Sequence, residues 1–66
     1  MRIYVNGNEQ AVNEPLAVLA LLGEMGLAGK RVAVEVNREI IPRTRLGVYV
    51  LQDGDRVEIV QAIGGG

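Results

Sequence analysis

The segment MRIYVNGNEQAVNEPLAVLALLGEMG (residues 1–26) decides the fold, because its hydrophobic period changes partway along. In MRIYV (residues 1–5), Met1, Ile3 and Val5 alternate with the other residues, which is the period of a β-strand. The dipeptide NG at residues 6–7 follows, and it favours a type I′ turn because both central residues need a positive φ. NEQAVN then returns as a second strand. The chain therefore opens with a predicted β-hairpin.

EPLAVLALLGEMG (residues 14–26) has the period of a helix. Four of its apolar residues stand at i, i+3, i+4 and i+7 and would share one face: Val18, Leu21, Leu22 and Met25. Pro15 suits the start of a helix and Gly26 suits the C′ position after it. Gly23 weakens the helix by up to about 1 kcal/mol relative to alanine. A helix of two to three turns is marginal alone, so we expect it to lie across a sheet.

Three further strands are predicted, two of them from the same alternation. KRVAVEVNREII (residues 30–41) places three valines on one face, and NREIIP forms a tight turn into a short strand that Pro42 ends. RVEIV (residues 56–60) is the last strand, with Val57 and Ile59 on one face. Between these strands, RTRLG (residues 43–47) predicts an irregular connection, and VYVL is either a short strand or an extended segment.

The order of strand, strand, helix, strand, short strand, loop and strand predicts an α+β domain of two layers around one core. We expect a mixed sheet in which the first and last strands are adjacent and parallel, with the middle of the chain as the crossover. The 66 residues make one domain, and its core must be aliphatic because the sequence has no phenylalanine or tryptophan.

Composition excludes several classes of function. Seven basic and eight acidic residues give a net charge of −1, and aromatic residues make up 3%, which argues against a nucleic-acid module. No apolar run approaches the roughly 20 residues that span a bilayer. MRIYVNG becomes polar too early for a signal peptide. The absence of cysteine fits a reducing compartment, so we expect a cytoplasmic protein without a membrane partner.

Side-chain chemistry argues against an enzyme. Without histidine or cysteine, the usual nucleophile–base pairs and the commonest transition-metal ligands cannot be built. Asp53 and Asp55 in QDGD (residues 52–55) are two carboxylates, well short of the six to eight oxygens that calcium takes, so a polar β-turn is favoured. The cations of KR (residues 30–31) and RTR (residues 43–45) form either a solvated face or a guide to an acidic partner.

One face of the predicted sheet carries a candidate partner surface. If the valine-rich face packs on the helix, the alternation places Tyr4, Ala33 and Val60 on the outside. An exposed apolar cluster on a small domain can mark a partner surface, although scattered exposed apolar residues are also normal. Val60 is the more notable because it leads directly into the end of the sequence.

The sequence ends in QAIGGG (residues 61–66). Six residues beyond Val60 reach up to about 20 Å when extended. Glycine lets the backbone pass through a narrow slot and adopt φ values closed to other residues. We therefore expect residues 1–63 to form the domain and residues 64–66 a flexible glycine tail that presents the carboxylate of Gly66 to another protein.

Taken together, the hairpin, the lone helix, VNREIIPR (residues 36–43), QDGDRVEIV (residues 52–60) and the closing Gly-Gly resemble a known family. They are similar to the β-grasp, or ubiquitin-like, sulfur carriers, and within them to the ThiS type of thiamine biosynthesis. The resemblance covers nearly all of the chain and implies a mixed sheet of four to five strands with one main helix packed across it. Two positions depart from the family pattern, Ala17 at a usual Ser/Thr cap and Gly64 at a position that is commonly alanine or another small residue.

The resemblance implies a carrier and no catalyst. A ThiF-type, E1-like adenylyltransferase would use ATP and magnesium to couple the Gly66 carboxylate to AMP, and the carrier itself would bind no cofactor or metal. Sulfur from a cysteine-derived persulfide would then leave a thiocarboxylate, which a ThiG-type thiazole synthase would use. Gly65 and Gly64 would be needed for transfer, and Tyr4, Val60, Ala62 and Ile63 would contact partners.

Other readings of the same pattern stay open. The molybdopterin-synthase small subunit also ends in Gly-Gly but is usually longer. A tRNA-thiolation carrier or a protein-conjugating modifier would share the activated glycine. An interaction module with an inert tail is the alternative from a different class.

Overall fold

The computed structural model describes residues 1–61. Its secondary structure in chain order is β1 (Arg2–Val5), β2 (Asn8–Ala11), α1 (Val18–Glu24), β3 (Val32–Val36), β4 (Glu39–Ile40), a 3-10 helix (Arg43–Arg45) and β5 (Arg56–Gln61). The predicted domain boundary at residue 63 and the glycine tail lie outside the described residues.

The five strands form one mixed sheet in the order β2-β1-β5-β3-β4. β1 and β5 are parallel, with Tyr4 opposite Arg56 and Val5 opposite Val57, and the other three pairs are antiparallel. The predicted α+β class and the parallel central pair are therefore confirmed.

The β1–β2 turn has the backbone that its NG sequence predicts, and the β3–β4 turn has a similar one. In the β1–β2 turn, Asn6 has a φ of 50° and Gly7 one of 84°. In the β3–β4 turn, Asn37 and Arg38 have φ values of 52° and 71°. Two consecutive positive φ values are the signature of a type I′ turn, whose twist matches that of the strands it joins.

The start of α1 is later than the placement of Pro15 suggested, because the preceding segment pairs with another part of the chain. The Leu51 N–H donates to the Leu16 carbonyl at 2.9 Å, and Ala17 forms an isolated antiparallel bridge with Val50. Within VYVL, Val48 therefore ends the turn after the 3-10 helix, and the residues after it are extended with a single bridge at Val50. The helix begins at Val18 only after this pairing ends.

The first turn of α1 is capped by backbone and not by a side chain. Ala17 stands at the N-cap and makes no side-chain hydrogen bond. The Val18 N–H donates to the Tyr49 carbonyl and the Leu19 N–H to the Leu46 carbonyl, each at 2.9 Å. These carbonyls satisfy two of the N–H groups that a helix start leaves without an intrahelical partner.

The helix ends as the position of Gly26 predicts. Gly26 has a φ of 75°, its N–H donates to the Gly23 carbonyl, and the Leu27 N–H donates to the Leu22 carbonyl. This pair of bonds is a Schellman motif. The prediction for Met25 was wrong, because the helix stops at Glu24 and the Met25 side chain is exposed.

The core is aliphatic, as predicted, and lies between α1 and the inner face of the sheet. Its buried side chains come from the strands, from α1 and from the connections: Ile3, Val5, Leu16, Val18, Leu21, Leu22, Val34, Val36, Ile41, Leu46, Leu51, Val57 and Ile59. The predicted irregular connection at residues 43–47 contains the 3-10 helix. Within residues 1–61, no helix is long and apolar enough to cross a membrane.

Candidate functional site

β5 carries the chain to Gln61, the last described residue, and lies at the centre of the sheet. It pairs with β3 over five positions, from Val36 opposite Val57 to Val32 opposite Gln61. On its other side it pairs with β1. The ladder with β3 continues to the last residue of the strand, so residues 62–66 follow a firmly held position.

Asn6 extends the pairing of β5 beyond the end of β1. Its N–H donates to the Val57 carbonyl at 2.9 Å, and its Oδ1 atom accepts from the Ile59 N–H at 2.8 Å. A backbone N–H in the middle of a sheet is costly to leave unpaired. The Asn6 side chain therefore takes the place of a strand residue beside the last part of β5.

The opposite end of β5 is held by Asn37 and Asp55. The Arg56 N–H donates to Asn37 Oδ1 at 3.0 Å, and Asn37 Nδ2 donates to Asp55 Oδ1 at 2.9 Å. The second Asp55 oxygen accepts from the Gln52 N–H at 2.8 Å. Asp55 is buried, and these bonds satisfy both of its oxygens.

This network confirms the interpretation of QDGD as a structural turn. Asp53 Oδ1 accepts from the Arg2 N–H at 2.8 Å, so the two aspartates bind backbone and side-chain donors of the protein. Within residues 1–61 no group of three or more His, Cys, Asp or Glu side chains could hold a metal ion. The sequence interpretation missed the roles of Asn6 and Asn37, whose only local signal is an asparagine at a predicted turn.

The outer face of the sheet carries Tyr4 and Val60, as predicted, but does not bring them together. Tyr4 is half-buried, and the Arg56 guanidinium lies 4.9 Å from its ring centroid. Val60 lies four residues after Arg56 on β5, which is about 13 Å from Arg56 at the usual rise per residue. Its side chain is 65% exposed, and its cross-strand partner is Ala33.

Two shallow surfaces meet near the end of β5. The first, which we call the outer depression, is lined by Arg31, Val32, Ala33, Arg43 and Val60. The second, the inner groove, lies toward the helix and is lined by Leu19, Leu22, Leu27, Gly29, Lys30, Val32, Arg43 and Leu46. Val32 and Arg43 belong to both, so the surfaces are continuous. The predicted partner contacts Ala62 and Ile63 and the predicted transfer residues Gly64, Gly65 and Gly66 lie outside the described residues.

Comparison with known proteins gives one consistent family. The family model described as the ThiS family matches residues 2–66. The sulfur carrier protein ThiS of Escherichia coli is 29% identical, and the match covers all of both chains. The crystal structure of a thiamine biosynthesis protein (ThiS) from Geobacter metallireducens superposes with a TM-score of 0.84 and 36% identity, and covers all of both chains.

The chain is also similar to part of a larger kind of protein. A thiazole synthase of Paramagnetospirillum magneticum is 44% identical over 66 residues. All of this chain is matched, but it spans a fifth of the length of that relative, and the same share of a thiazole synthase of Magnetococcus marinus.

Proposed function

Since the chain belongs to the ThiS family, we propose that it is a sulfur carrier of thiamine biosynthesis whose cargo is bound at the carboxyl group of Gly66. The observation that carries this proposal is the match to the family, which extends through Gly65 and Gly66. The structure supports it by the placement of β5, the strand that ends at Gln61, at the centre of the sheet.

The proposed chemistry begins with activation of a carboxylate. An oxygen of the Gly66 carboxylate attacks the α-phosphorus of ATP, pyrophosphate leaves, and a mixed anhydride with AMP results. The outer sulfur of a cysteine-derived persulfide then attacks the acyl carbon and AMP leaves, which forms an acyl disulfide. A second thiol attacks the cysteine sulfur of that disulfide, so that a thiocarboxylate remains on Gly66 and the two thiol groups end as a disulfide. We assign ATP, magnesium and the catalytic side chains to an E1-like adenylyltransferase, because the carrier has no histidine or cysteine of its own.

The carrier contributes position and reach. The five residues after Gln61 can span up to about 16 Å when extended. Gly65 and Gly66 add little bulk, and Gly64 adds further backbone freedom, so the carboxyl group can pass through a narrow opening. In this account the protein is a substrate and a donor, and not an enzyme.

The acceptor of the sulfur is proposed to be a thiazole synthase. The support is that two proteins with that name each contain a segment similar to this entire chain. We infer from this likeness that the chain supplies sulfur to an enzyme of that kind. We place this reaction in the cytoplasm, with no nucleic acid or membrane as a partner.

The test is charging followed by intact mass measurement. Incubation with the adenylyltransferase, ATP, magnesium and a sulfur source should raise the mass of the protein by one oxygen-to-sulfur exchange. A variant without Gly66, and one with an extra residue after it, should show no exchange, because the activated carboxyl group is absent or displaced. Their thermal unfolding should match that of the wild type, and charging of the extended variant at the normal rate would contradict the assignment of Gly66.

We further propose that Val60, with Ala62 and Ile63, contacts the adenylyltransferase, and that Tyr4 marks the distant margin of that contact. A charge introduced at Val60 would be buried against the partner, which is unfavourable. We expect the charging rate to fall several-fold or more. Val60→Asp should therefore lower kcat/KM for charging. Ile40→Asp is the matched control, since Ile40 is 75% exposed on the edge strand β4. Equal rates for the two folded variants would remove Val60 from the docking surface.

A further inference from the structure

Two cationic segments that are distant in the sequence meet where β5 ends. Lys30 and Arg31 directly precede β3, whose first residue lies opposite Gln61. Arg43, from the 3-10 helix, lines both the outer depression and the inner groove. We call Lys30, Arg31 and Arg43 the cationic rim.

The charges of the cationic rim face solvent. All three residues are exposed. In the part of the chain that the structure describes, the ion pair joins Arg2 and Glu9 and involves none of the three. Three like charges are therefore gathered at one end of a protein whose net charge is −1. Such a local excess creates a potential that attracts groups of opposite charge.

The surface inside the rim is apolar. Val60 is 65% exposed, Ala33 is exposed, and Val32 is half-buried between them and the inner groove. An apolar floor bordered by cations suits a protein surface that combines aliphatic or aromatic side chains with carboxylates. A small anion would make no favourable contact with this apolar surface.

Resting on the proposed function, we propose that the cationic rim docks on an acidic protein surface that surrounds the opening through which the adenylating enzyme admits residues 62–66. The rim lies at the base of that segment, so whatever admits the segment must face the rim. The five residues after Gln61 can span up to about 16 Å, so the Gly66 carboxyl group can reach a nucleotide while the rim stays on the surface of the enzyme.

The physical role of the rim is to orient the encounter. Complementary charge raises the association rate and fixes the approach of two proteins, and its effect declines as salt screens the field. Because the rim lies beside Gln61, the residue that precedes the terminal segment, attraction at the rim orients this end of the protein toward the opening.

Charge reversal measures this role. At an ionic strength of about 0.01 M, where the Debye length is roughly 30 Å, Arg43→Glu should lower kcat/KM for the carrier roughly tenfold. At about 1 M salt, kcat/KM of Arg43→Glu should approach that of the wild type. The kcat measured at saturating carrier should stay unchanged. Arg43→Lys should retain the wild-type rate because it retains the charge.

Arg38→Glu is the control with the same change in net charge. Arg38 lies in the β3–β4 turn, at the other end of β3, which is about 16 Å long. Equal losses for Arg43→Glu and Arg38→Glu, or a loss that salt does not relieve, would overturn the proposal. If Arg43→Glu changed the KM for ATP and not the KM for the carrier, the rim would bind nucleotide phosphates. That result would also overturn the proposal.

A second measurement uses the wild-type chain, in which Lys30 is the single lysine. A carbodiimide joins an amine to a nearby carboxylate with loss of water. Treatment of the complex with the adenylating enzyme should link Lys30 to an aspartate or glutamate of that enzyme, and about 1 M salt should suppress the link. If the link is absent in a complex that charges normally, the proposed docking of the rim is wrong, whereas the proposed carrier function is unaffected. Failure of the wild-type chain to charge would overturn both.

Discussion

Three polar side chains hold β5, the strand that precedes residues 62–66. Asn6 accepts a hydrogen bond from the Ile59 N–H, Asn37 from the Arg56 N–H, and Asp55 joins Asn37 to the turn before the strand. Each bond links positions that are distant in the sequence, up to 53 residues apart for Asn6. These residues therefore fix where β5 begins and how far it stays in register.

Asp55 should carry the largest share of this effect. Asp55→Ala would leave the Gln52 N–H and Asn37 Nδ2 without their partner, at a cost of about 1–3 kcal/mol in the free energy of unfolding. Urea denaturation measures the loss. Asp53→Ala is the control, because its single bond to the Arg2 N–H is exposed and should be worth less than about 1 kcal/mol. Equal losses would show that burial of Asp55 is not what matters.

The sequence predicts the turns at these positions but not the bonds. NG and QDGD predict turns because asparagine, aspartate and glycine favour turn conformations. Which backbone N–H an asparagine will meet depends on strand order and register. That information becomes available only when β1, β5 and β3 lie side by side.

At the scale of the elements, the predictions were most reliable where one period persists. The strands and the helix follow from alternation and from the spacing of Val18, Leu21 and Leu22, all of which are buried. The helix begins after Ala17, the predicted cap position, and not at Pro15, and its first N–H groups are satisfied by the carbonyls of Leu46 and Tyr49. A contact across about 30 residues of sequence leaves no local signal.

The helix offers a direct test of the local energetics. A methyl group added at Gly23 would meet nothing within 4 Å, and its backbone does not have a positive φ. Gly23→Ala should therefore raise the free energy of unfolding by about 0.5–1 kcal/mol, because alanine loses less backbone entropy on folding.

Gly26 supplies the matched control for that substitution. Its added methyl group would also meet open space, but its φ is 75°. Gly26→Ala should lower the free energy of unfolding by about 1–2 kcal/mol, because the left-handed conformation crowds Cβ against the following carbonyl. Stabilisation by both substitutions would contradict the Schellman ending of α1.

At the scale of the whole molecule, the proposed function assigns stability to the described residues and the chemistry to the residues after them. The described residues build a small aliphatic core and a sheet that keeps β5 at its centre, and the proposed chemistry takes place beyond Gln61. The composition and the glycines predict this division, which stays a prediction because residues 62–66 lie outside the described residues. The sequence did not predict that Tyr4 and Val60 are separated along β5, or that residues 30–31 and Arg43 meet at its end, because both depend on the register of β5 with its neighbours.

The most direct test of the carrier function is the intact mass of the protein isolated without a tag from its own cells during thiamine synthesis. The account predicts a population whose mass corresponds to the chain ending at Gly66 with one oxygen replaced by sulfur, and its loss when the adenylyltransferase is deleted. A population that carries only the unmodified carboxylate while thiamine is being made, or a chain that continues past Gly66, would contradict it.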